Sequence, residues 1–339
     1  MNRRIFFIAG MHRSGTSYLA QTLSSLGLEL PVSVQPGAED NPKGHFEPFS
    51  IAEYHESLLA DMNLSWDTFI SPTENWFSSE YADKAVGELS EIIKSDYPGA
   101  GPIVFKDPRA CLFLPLWKKV VAKLGLEDFY LIPFRHPLEV AASLEKRNKI
   151  SKNRSLLIWL DYLFDVEKNT RKDRRCFIHF PKWALDIKQT ISKIESDLGT
   201  GLPIKNSKNL LIAAKEYEEA FLHNKKSGTE KATNDIEKLA LDTYDCFIRL
   251  LTDPLDSATL TEIDSLRDKF VTLSDLFDDI LNEYELKLEQ QLQARHDDGE
   301  QVNARANALQ QQLSDSEGRI VELEQQLQAR HDDGEQVNA

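Results

Sequence analysis

Residues 5–17 read IFFIAGMHRSGTS: a short apolar run, then a loop with two glycines, then the start of a helical pattern. The apolar run predicts a buried β-strand over Ile5–Ala9. Gly10 and Gly15 allow a tight turn, and the backbone N–H groups at the start of the following helix point toward any anion bound there. This stretch therefore predicts a phosphate- or sulfate-binding loop at the carboxyl end of a strand.

The loop has the spacing G-x-x-x-x-G-[TS] but lacks the lysine of a Walker A motif, because Thr16 stands at that position. Its cation is Arg13, whose guanidinium suits the oxygens of a phosphate or sulfate. A conventional ATP or GTP hydrolase is thereby disfavoured. The alternative is a glycine-bearing strand-to-helix turn with a surface arginine.

Short apolar runs alternate with longer helical patterns through residue 222, which predicts an α/β domain with a parallel sheet flanked by helices. The predicted strands are Ile5–Ala9, Ile103–Phe105, Phe129–Phe134 and Cys176–Phe180. The predicted helices cover 16–26, 79–95, 112–124, 138–148, 154–170, 184–197 and 208–222. Ligands of such sheets bind at the carboxyl ends of the strands, so the residues after each strand are candidates for a site.

Three further motifs carry charge. Residues 134–143, FRHPLEVAAS, place Arg135 at a strand end and Ser143 about two turns into the next helix. Residues 105–109, FKDPR, follow another strand, and residues 40–47 read DNPKGHFE. Taken alone, each motif is also compatible with solvated surface side chains.

Together these motifs resemble those of sulfotransferases that use 3′-phosphoadenosine 5′-phosphosulfate, and the resemblance covers about residues 1–222. In that family a loop reading R-S-G-T-[ST] holds the 5′-phosphosulfate. The matching residues here are Arg13, Ser14, Gly15, Thr16 and Ser17.

The resemblance also implies roles for the other motifs. The family pattern R-x-P, with Ser eight positions after the Arg, binds the 3′-phosphate, which implies this role for Arg135 and Ser143. The K-D-P segment resembles the tyrosylprotein branch, where the lysine assists the transferring group; here it is Lys106. The N-P-K-G-H-F-E segment resembles bacterial carbohydrate-type members and implies Glu47 as the general base, the alternative being a surface carboxylate. The implied catalytic set is Arg13, Glu47 and Lys106, with no metal.

Two departures from the family pattern stand out. The R-K-G segment that reinforces the 3′-phosphate site in the cytosolic branch has no recognisable counterpart. The segment IHFPKWALD, residues 178–186, resembles the strand-turn-helix usually written Y-E-D-L, but Phe180-Pro181-Lys182 replaces its acidic turn. The role of that turn is therefore open in this chain.

The resemblance implies transfer of a sulfuryl group to an acceptor hydroxyl, with a carbohydrate or glycolipid as the expected acceptor. The alternatives are a P-loop kinase-like phosphotransferase and a non-catalytic nucleotide-binding scaffold that acts through its tail. Six aromatic residues could stack on sugars or simply fill a core. They are Phe46, Phe49, Tyr54, Trp66, Phe69 and Trp76.

Composition limits the other functions. Residues 223–339 hold 12 basic and 26 acidic groups, so most of the net charge of −15 lies there, and a nucleic-acid surface is not expected. No apolar stretch is long enough to span a bilayer. The three cysteines are far apart and form no CxxC pair, which favours a reducing compartment; we expect a cytoplasmic protein.

The last part of the chain contains a repeat, LEQQLQARHDDGEQVNA, at 288–304 and again at 323–339. The copies are 35 residues apart, which is five heptads, and this predicts a coiled coil that could join two copies of the chain. The alternative is a solvated helix or a partly disordered spacer. The predicted organisation is a sulfotransferase domain over 1–222, a linker and helical segment over 223–285, and coiled-coil repeats over 286–339. Because the sequence stops with the second repeat, we expect a fragment of a longer polypeptide.

Overall fold

The computed structural model describes residues 2–34, 44–180, 182–203 and 232–275, together with 307, 309–311 and 319. The chain divides into two compact units, Met1–Ser274 and Asp275–Ala339. The sheet and the candidate site lie in the first unit. The predicted coiled-coil repeats fall almost wholly outside the described residues.

The first unit is built on a parallel sheet of four strands in the order β2-β1-β3-β4. These strands are β1 Arg4–Ile8, β2 Ile103–Phe105, β3 Glu127–Arg135 and β4 Arg175–Phe180. All four predicted strands are present, and the predicted α/β class with a parallel sheet flanked by helices is confirmed.

Helices occupy most of the rest of the described chain. They are α1 Thr16–Leu26, α2 Phe49–Asp61, α3 Glu74–Phe77, α4 Glu80–Asp96, α5 Leu114–Leu124, α6 Pro137–Asn148, α7 Lys152–Thr170, α8 Lys182–Leu185, α9 Ile187–Leu198, α10 Asp235–Leu250 and α11 over 257–275, with a 3₁₀ turn at Pro108–Phe113. Helices α2 and α3 are not among the predicted helices. The predicted helix at 184–197 is divided between α8 and α9 at Asp186, whose side chain accepts from the N–H of Gln189 and so begins a new helix. The predicted helix at 208–222 lies outside the described residues.

Both faces of the sheet are apolar, because successive side chains of a strand point to opposite faces. On one face Phe6 stacks on Phe129, with ring centroids 4.9 Å apart, and α1 and α9 cover them. On the other face Phe7 stacks on Tyr130 at 5.3 Å and meets Trp117 of α5 edge-on. The core thus fixes β1 at the centre of the sheet with helices on both sides.

Helices α10 and α11 pack on the same body. Phe247 of α10 meets Phe177 of β4 at 5.5 Å, and Phe270 of α11 meets Phe164 of α7 at 5.6 Å. The first compact unit accordingly continues to Ser274. The boundary predicted after residue 222 falls outside the described residues.

The strand order places the candidate site. Strands β2 and β3 lie on opposite sides of β1, so the connections change direction there and open a crevice at the carboxyl end of β1. The loops that reach this crevice are 9–15 after β1, 106–109 after β2 and the turn after β3 at Arg135.

Candidate active site

The loop after β1 is tightly wound around its glycines. A Cβ on Gly10 would lie 2.6 Å from the carbonyl oxygen of Pro133, so only glycine fits against β3. Gly15 has a φ of 83°, and a Cβ there would lie 2.5 Å from the ring of Phe180. Arg13 also has a positive φ, 69°, which is uncommon for a residue other than glycine and occurs mainly where surrounding structure enforces it.

This winding has the features of an anion-binding loop. The N–H of Ser14 donates to the carbonyl of Met11 at 3.3 Å and closes the turn. Helix α1 begins at Thr16, so its first N–H groups have no partner within the helix. Ser14 is fully buried, and its hydroxyl has no hydrogen-bond partner in the protein. A buried hydroxyl without a partner costs about 1–3 kcal/mol, which a bound oxyanion would recover.

The first loop contacts the motif at 134–143 directly. The Nε of Arg13 donates to the Oγ of Ser143, 2.8 Å away. Arg135, at the end of β3, lies on the same side but donates its Nε to Glu139 at 2.6 Å and stacks on Phe180, 5.2 Å from the ring centroid. An arginine carries further N–H donors on its two Nη atoms.

Lys106 and Glu47 form a buried ion pair behind the loop. The side chains are 2% and 5% exposed, and Lys106 Nζ donates to Glu47 Oε1. Arg109 donates its Nη1 to the second carboxylate oxygen of Glu47 at 3.2 Å. Burial of an ion pair costs desolvation energy, so removal of either partner would leave an uncompensated buried charge.

A second buried network fixes Arg109. Asp107 accepts from Arg109 Nη1 at 2.8 Å and lies 2.7 Å from Nδ1 of His55, while Trp117 donates its indole N–H to Nε2 of the same histidine at 3.1 Å. Because Nε2 accepts, Nδ1 carries the proton and donates it to Asp107. Burial alone would raise the pKa of Asp107, but Arg109 and His55 hold it well below its usual range.

His12 comes from the first loop and lies against Trp66, with ring centroids 4.6 Å apart. Its Nε2 is buried without a hydrogen-bond partner. Burial, and then the charges of Arg109 and Lys106, lower the pKa of His12 well below 6.5, so the ring is neutral.

The structure therefore brings Arg13, Ser143, Lys106 and Glu47 to one end of the sheet. Ser17, in the first turn of α1, donates to the carbonyl of His45 at 3.3 Å and so ties the loop to the segment that carries Glu47. Thr16 is buried at the start of α1.

Phe180, Arg109 and His55 are site residues that the sequence analysis did not assign. Phe180 stands where the resembled family has its acidic turn, and here it packs on both Gly15 and Arg135. The missed helix α2 carries His55, and its buried residues Ile51, His55, Leu58 and Leu59 do follow a helical interval.

The described residues contain no group of three or more His, Cys, Asp or Glu side chains that could hold a metal ion. Across the same residues, no helix is long and apolar enough to cross a membrane.

No family model and no curated protein matches this chain. Among solved structures, it is similar to the sulfotransferase domain of the Synechococcus PCC 7002 olefin synthase, at 13% identity and a TM-score of 0.41 over 72% of this chain and 94% of that one. It is also similar to a sulfotransferase from Mycobacterium tuberculosis H37Rv, at 14% identity and a TM-score of 0.36 over 64% of this chain and 72% of that one. A third is the sulfotransferase domain from the curacin biosynthetic pathway, at 11% identity and a TM-score of 0.39 over 72% of this chain and 98% of that one.

All three are sulfotransferases.

Proposed function

We propose that this protein is a sulfotransferase. It moves the sulfuryl group of 3′-phosphoadenosine 5′-phosphosulfate to an acceptor hydroxyl and releases adenosine 3′,5′-bisphosphate. The observation that carries the proposal is the 2.8 Å hydrogen bond between Arg13 and Ser143. It joins the loop resembling a 5′-phosphosulfate site to the helix resembling a 3′-phosphate site, and one ribose carries both groups of the donor.

The residues of the loop fit such a donor. The buried, unpartnered hydroxyl of Ser14 and the N–H groups of residues 15–17 supply donors for the 5′-phosphosulfate oxygens, while the N–H of Ser14 donates to the carbonyl of Met11 at 3.3 Å. Arg135 and Ser143 would take the 3′-phosphate, with the two Nη atoms of Arg135 as its charged fork.

The chemistry then needs little beyond alignment and charge. The acceptor oxygen forms its bond to sulfur while the bond from sulfur to the bridging oxygen breaks, and the electron pair of that bond goes to the departing 5′-phosphate. Arg13, Lys106 and the loop N–H groups stabilise the charge that develops there. A buried lysine acts strongly in this role because the surroundings screen its charge weakly.

Glu47 is the proposed general base. In the structure its two oxygens accept from Lys106 and Arg109. When Lys106 turns to the bridging oxygen of the donor, Oε1 is released to accept the proton of the acceptor hydroxyl. The network from Trp117 through His55 and Asp107 to Arg109 holds the other oxygen in place meanwhile.

The acceptor is proposed to be a carbohydrate or glycolipid hydroxyl. Of the six aromatics considered for sugar stacking, Phe69 is buried in the core, whereas Phe49 is 43% exposed. Trp66 contacts a residue of the first loop, since its ring lies tilted against that of His12 with centroids 4.6 Å apart. The same proposal keeps residues 286–339 as a coiled coil that joins two copies outside the chemistry.

Labelled donor tests the proposal. The chain is incubated with 3′-phosphoadenosine 5′-[³⁵S]phosphosulfate and separate polysaccharide, glycolipid and protein fractions. We expect label in a carbohydrate-bearing fraction, inhibition by adenosine 3′,5′-bisphosphate, and loss of transfer in Lys106→Met. Label in protein alone would replace the acceptor class, and no transfer to any fraction together with no donor binding would overturn the proposal.

A further inference from the structure

His12 is a partly buried polar residue near the candidate site that the proposed mechanism leaves unused. Its Nε2 is buried and lacks a protein partner, although the neighbouring networks satisfy both nitrogens of His55. Buried nitrogens in native proteins nearly always have a partner, so a ligand atom is the natural candidate for this one.

The position of His12 indicates which atom that is. It directly precedes Arg13 in the loop proposed to bind the 5′-phosphosulfate, and Trp66 covers one side of its ring at 4.6 Å. The charges of Arg109 and Lys106 reach it from the other network. The ring is part of the loop proposed to hold the 5′-phosphosulfate, so its unpartnered Nε2 is a donor beside the group that this loop would bind.

The chemistry of the position selects an anionic oxygen. Burial is the main cause that lowers the pKa of His12, and the charges of Arg109, Lys106 and Arg147 act in the same direction, so the imidazole is neutral. A neutral imidazole can still donate one N–H, and a sulfuryl oxygen carries the negative charge that these cations favour.

We propose that His12 is a further catalytic residue, which donates a hydrogen bond from Nε2 to an oxygen of the sulfuryl group during its transfer. The inference rests on the proposed function. No proton changes hands at His12: the acceptor proton goes to Glu47, and the imidazole stays neutral throughout. Trp66 acts as the positioning residue that fixes the plane of the ring.

The test compares two nucleotides that differ by the sulfuryl group. Adenosine 3′,5′-bisphosphate lacks it and 3′-phosphoadenosine 5′-phosphosulfate carries it, so the ratio of their Kd values reports contacts to that group. In His12→Ala we expect the bisphosphate to bind within about twofold of the wild type, while the donor loses about tenfold and kcat for transfer falls on the order of 10- to 100-fold. His12→Gln, which keeps an N–H donor, should recover part of both losses.

His179→Gln is the matched control. This histidine is also partly buried, and its Nε2 already has a partner, the Tyr244 hydroxyl at 2.8 Å. Its replacement should leave the Kd ratio and kcat unchanged.

The other outcomes overturn the assignment. An unchanged Kd ratio and kcat in His12→Ala mean that His12 does not touch the sulfuryl group. An equal loss of affinity for both nucleotides in His12→Ala and His12→Gln means that His12 only shapes the loop. If His12→Ala misfolds, the measurements on His12→Gln decide. If the wild type binds neither nucleotide, the proposed function itself has failed. If the wild type transfers the sulfuryl group and a His12 variant transfers it equally well, only the role of His12 has failed.

Discussion

Arg13 Nε lies 2.8 Å from Ser143 Oγ although 130 residues separate them in the chain. The first belongs to the loop after β1 and the second to helix α6, which follows β3. Their contact is a direct consequence of the parallel pairing of β1 with β3, since the carboxyl ends of paired parallel strands meet at one edge of the sheet.

The first prediction separates the two phosphate sites. Arg135→Ala should weaken binding of adenosine 3′,5′-bisphosphate by on the order of 2 kcal/mol, because it removes a charge-assisted contact in a partly dry cleft. Adenosine 5′-phosphate lacks the 3′-phosphate, so its affinity should hardly change. Calorimetric titration of both nucleotides checks this.

Arg174→Ala serves as the control, because Arg174 is a half-exposed arginine paired with Glu127 at the start of the sheet. It should affect neither nucleotide. Equal losses for the two nucleotides in Arg135→Ala would show that the 3′-phosphate site is wrongly placed.

The second prediction concerns the buried pair Lys106–Glu47. Glu47→Leu should lower the free energy of unfolding by about 3–5 kcal/mol, because it leaves Lys106 buried beside Arg109 without the shared carboxylate. The double variant Glu47→Leu/Lys106→Met should recover much of that stability while remaining inactive. Urea unfolding measures the first effect and label transfer the second. A double variant with activity near that of the wild type would remove both residues from the mechanism.

The third prediction tests the loop around Gly15. Gly15→Ala should abolish nucleotide binding, since the added Cβ meets the Phe180 ring at 2.5 Å and the φ of 83° is strained for alanine. Gly87→Ala is the matched change in helix α4, where the new Cβ meets only Lys123 Nζ at 3.7 Å. It should raise stability by about 0.5–1 kcal/mol and leave binding alone. Nucleotide binding by Gly15→Ala at the affinity of the wild type would mean that the loop is not the anion site.

The fourth prediction is a pH dependence of stability from helix α7. Asp161 and Asp165 both contact the hydroxyl of Ser71, at 3.1 and 2.5 Å. Burial raises the pKa of Asp165 to about 6, although the charges of Lys168 and Arg267 act in the opposite direction. Burial also raises the pKa of Asp161 well above its usual value, and the charge of Asp165 raises it further.

The folded state therefore holds more protons than the unfolded state between about pH 4 and 6. The stability that Asp165 contributes is fully present below about pH 4 and is lost as the pH rises through 6. Asp165→Asn should be more stable than the wild type at pH 7, on the order of 1–3 kcal/mol, with a difference that shrinks toward pH 4. Urea unfolding of both proteins across this range measures it. The control Asp83→Asn changes an exposed carboxylate and should show no such trend in stability. If the stability of the wild type rises relative to that of Asp165→Asn as the pH increases, the assignment is wrong.

Much of the fold follows from local pattern. The continuous apolar run over Ile5–Ala9 predicts the buried strand β1, and the helix after Gly15 begins at Thr16 as predicted. Of the two helices that were not predicted, the longer one, α2, starts after Pro48 without a side-chain cap and buries a histidine, so it lacks a clear start signal.

The site was only partly predictable for a different reason. Motif spacing indicates which residues follow strands, and that is enough for Arg13, Lys106 and Ser143. It carries no information on pairings across the fold, such as Glu47 with Arg109 or Phe180 over Gly15, because these depend on how separate loops meet in space.

The central claim is that the cleft recognises a nucleotide with a 3′-phosphate and no metal. Isothermal titration calorimetry with adenosine 3′,5′-bisphosphate, with and without EDTA, against ATP with Mg²⁺ tests it most directly. We predict binding of the bisphosphate that EDTA does not weaken and that Arg135→Ala reduces, with weak or absent binding of MgATP. Preference for MgATP would contradict the account and favour a phosphotransferase, and binding of neither nucleotide would contradict it as well.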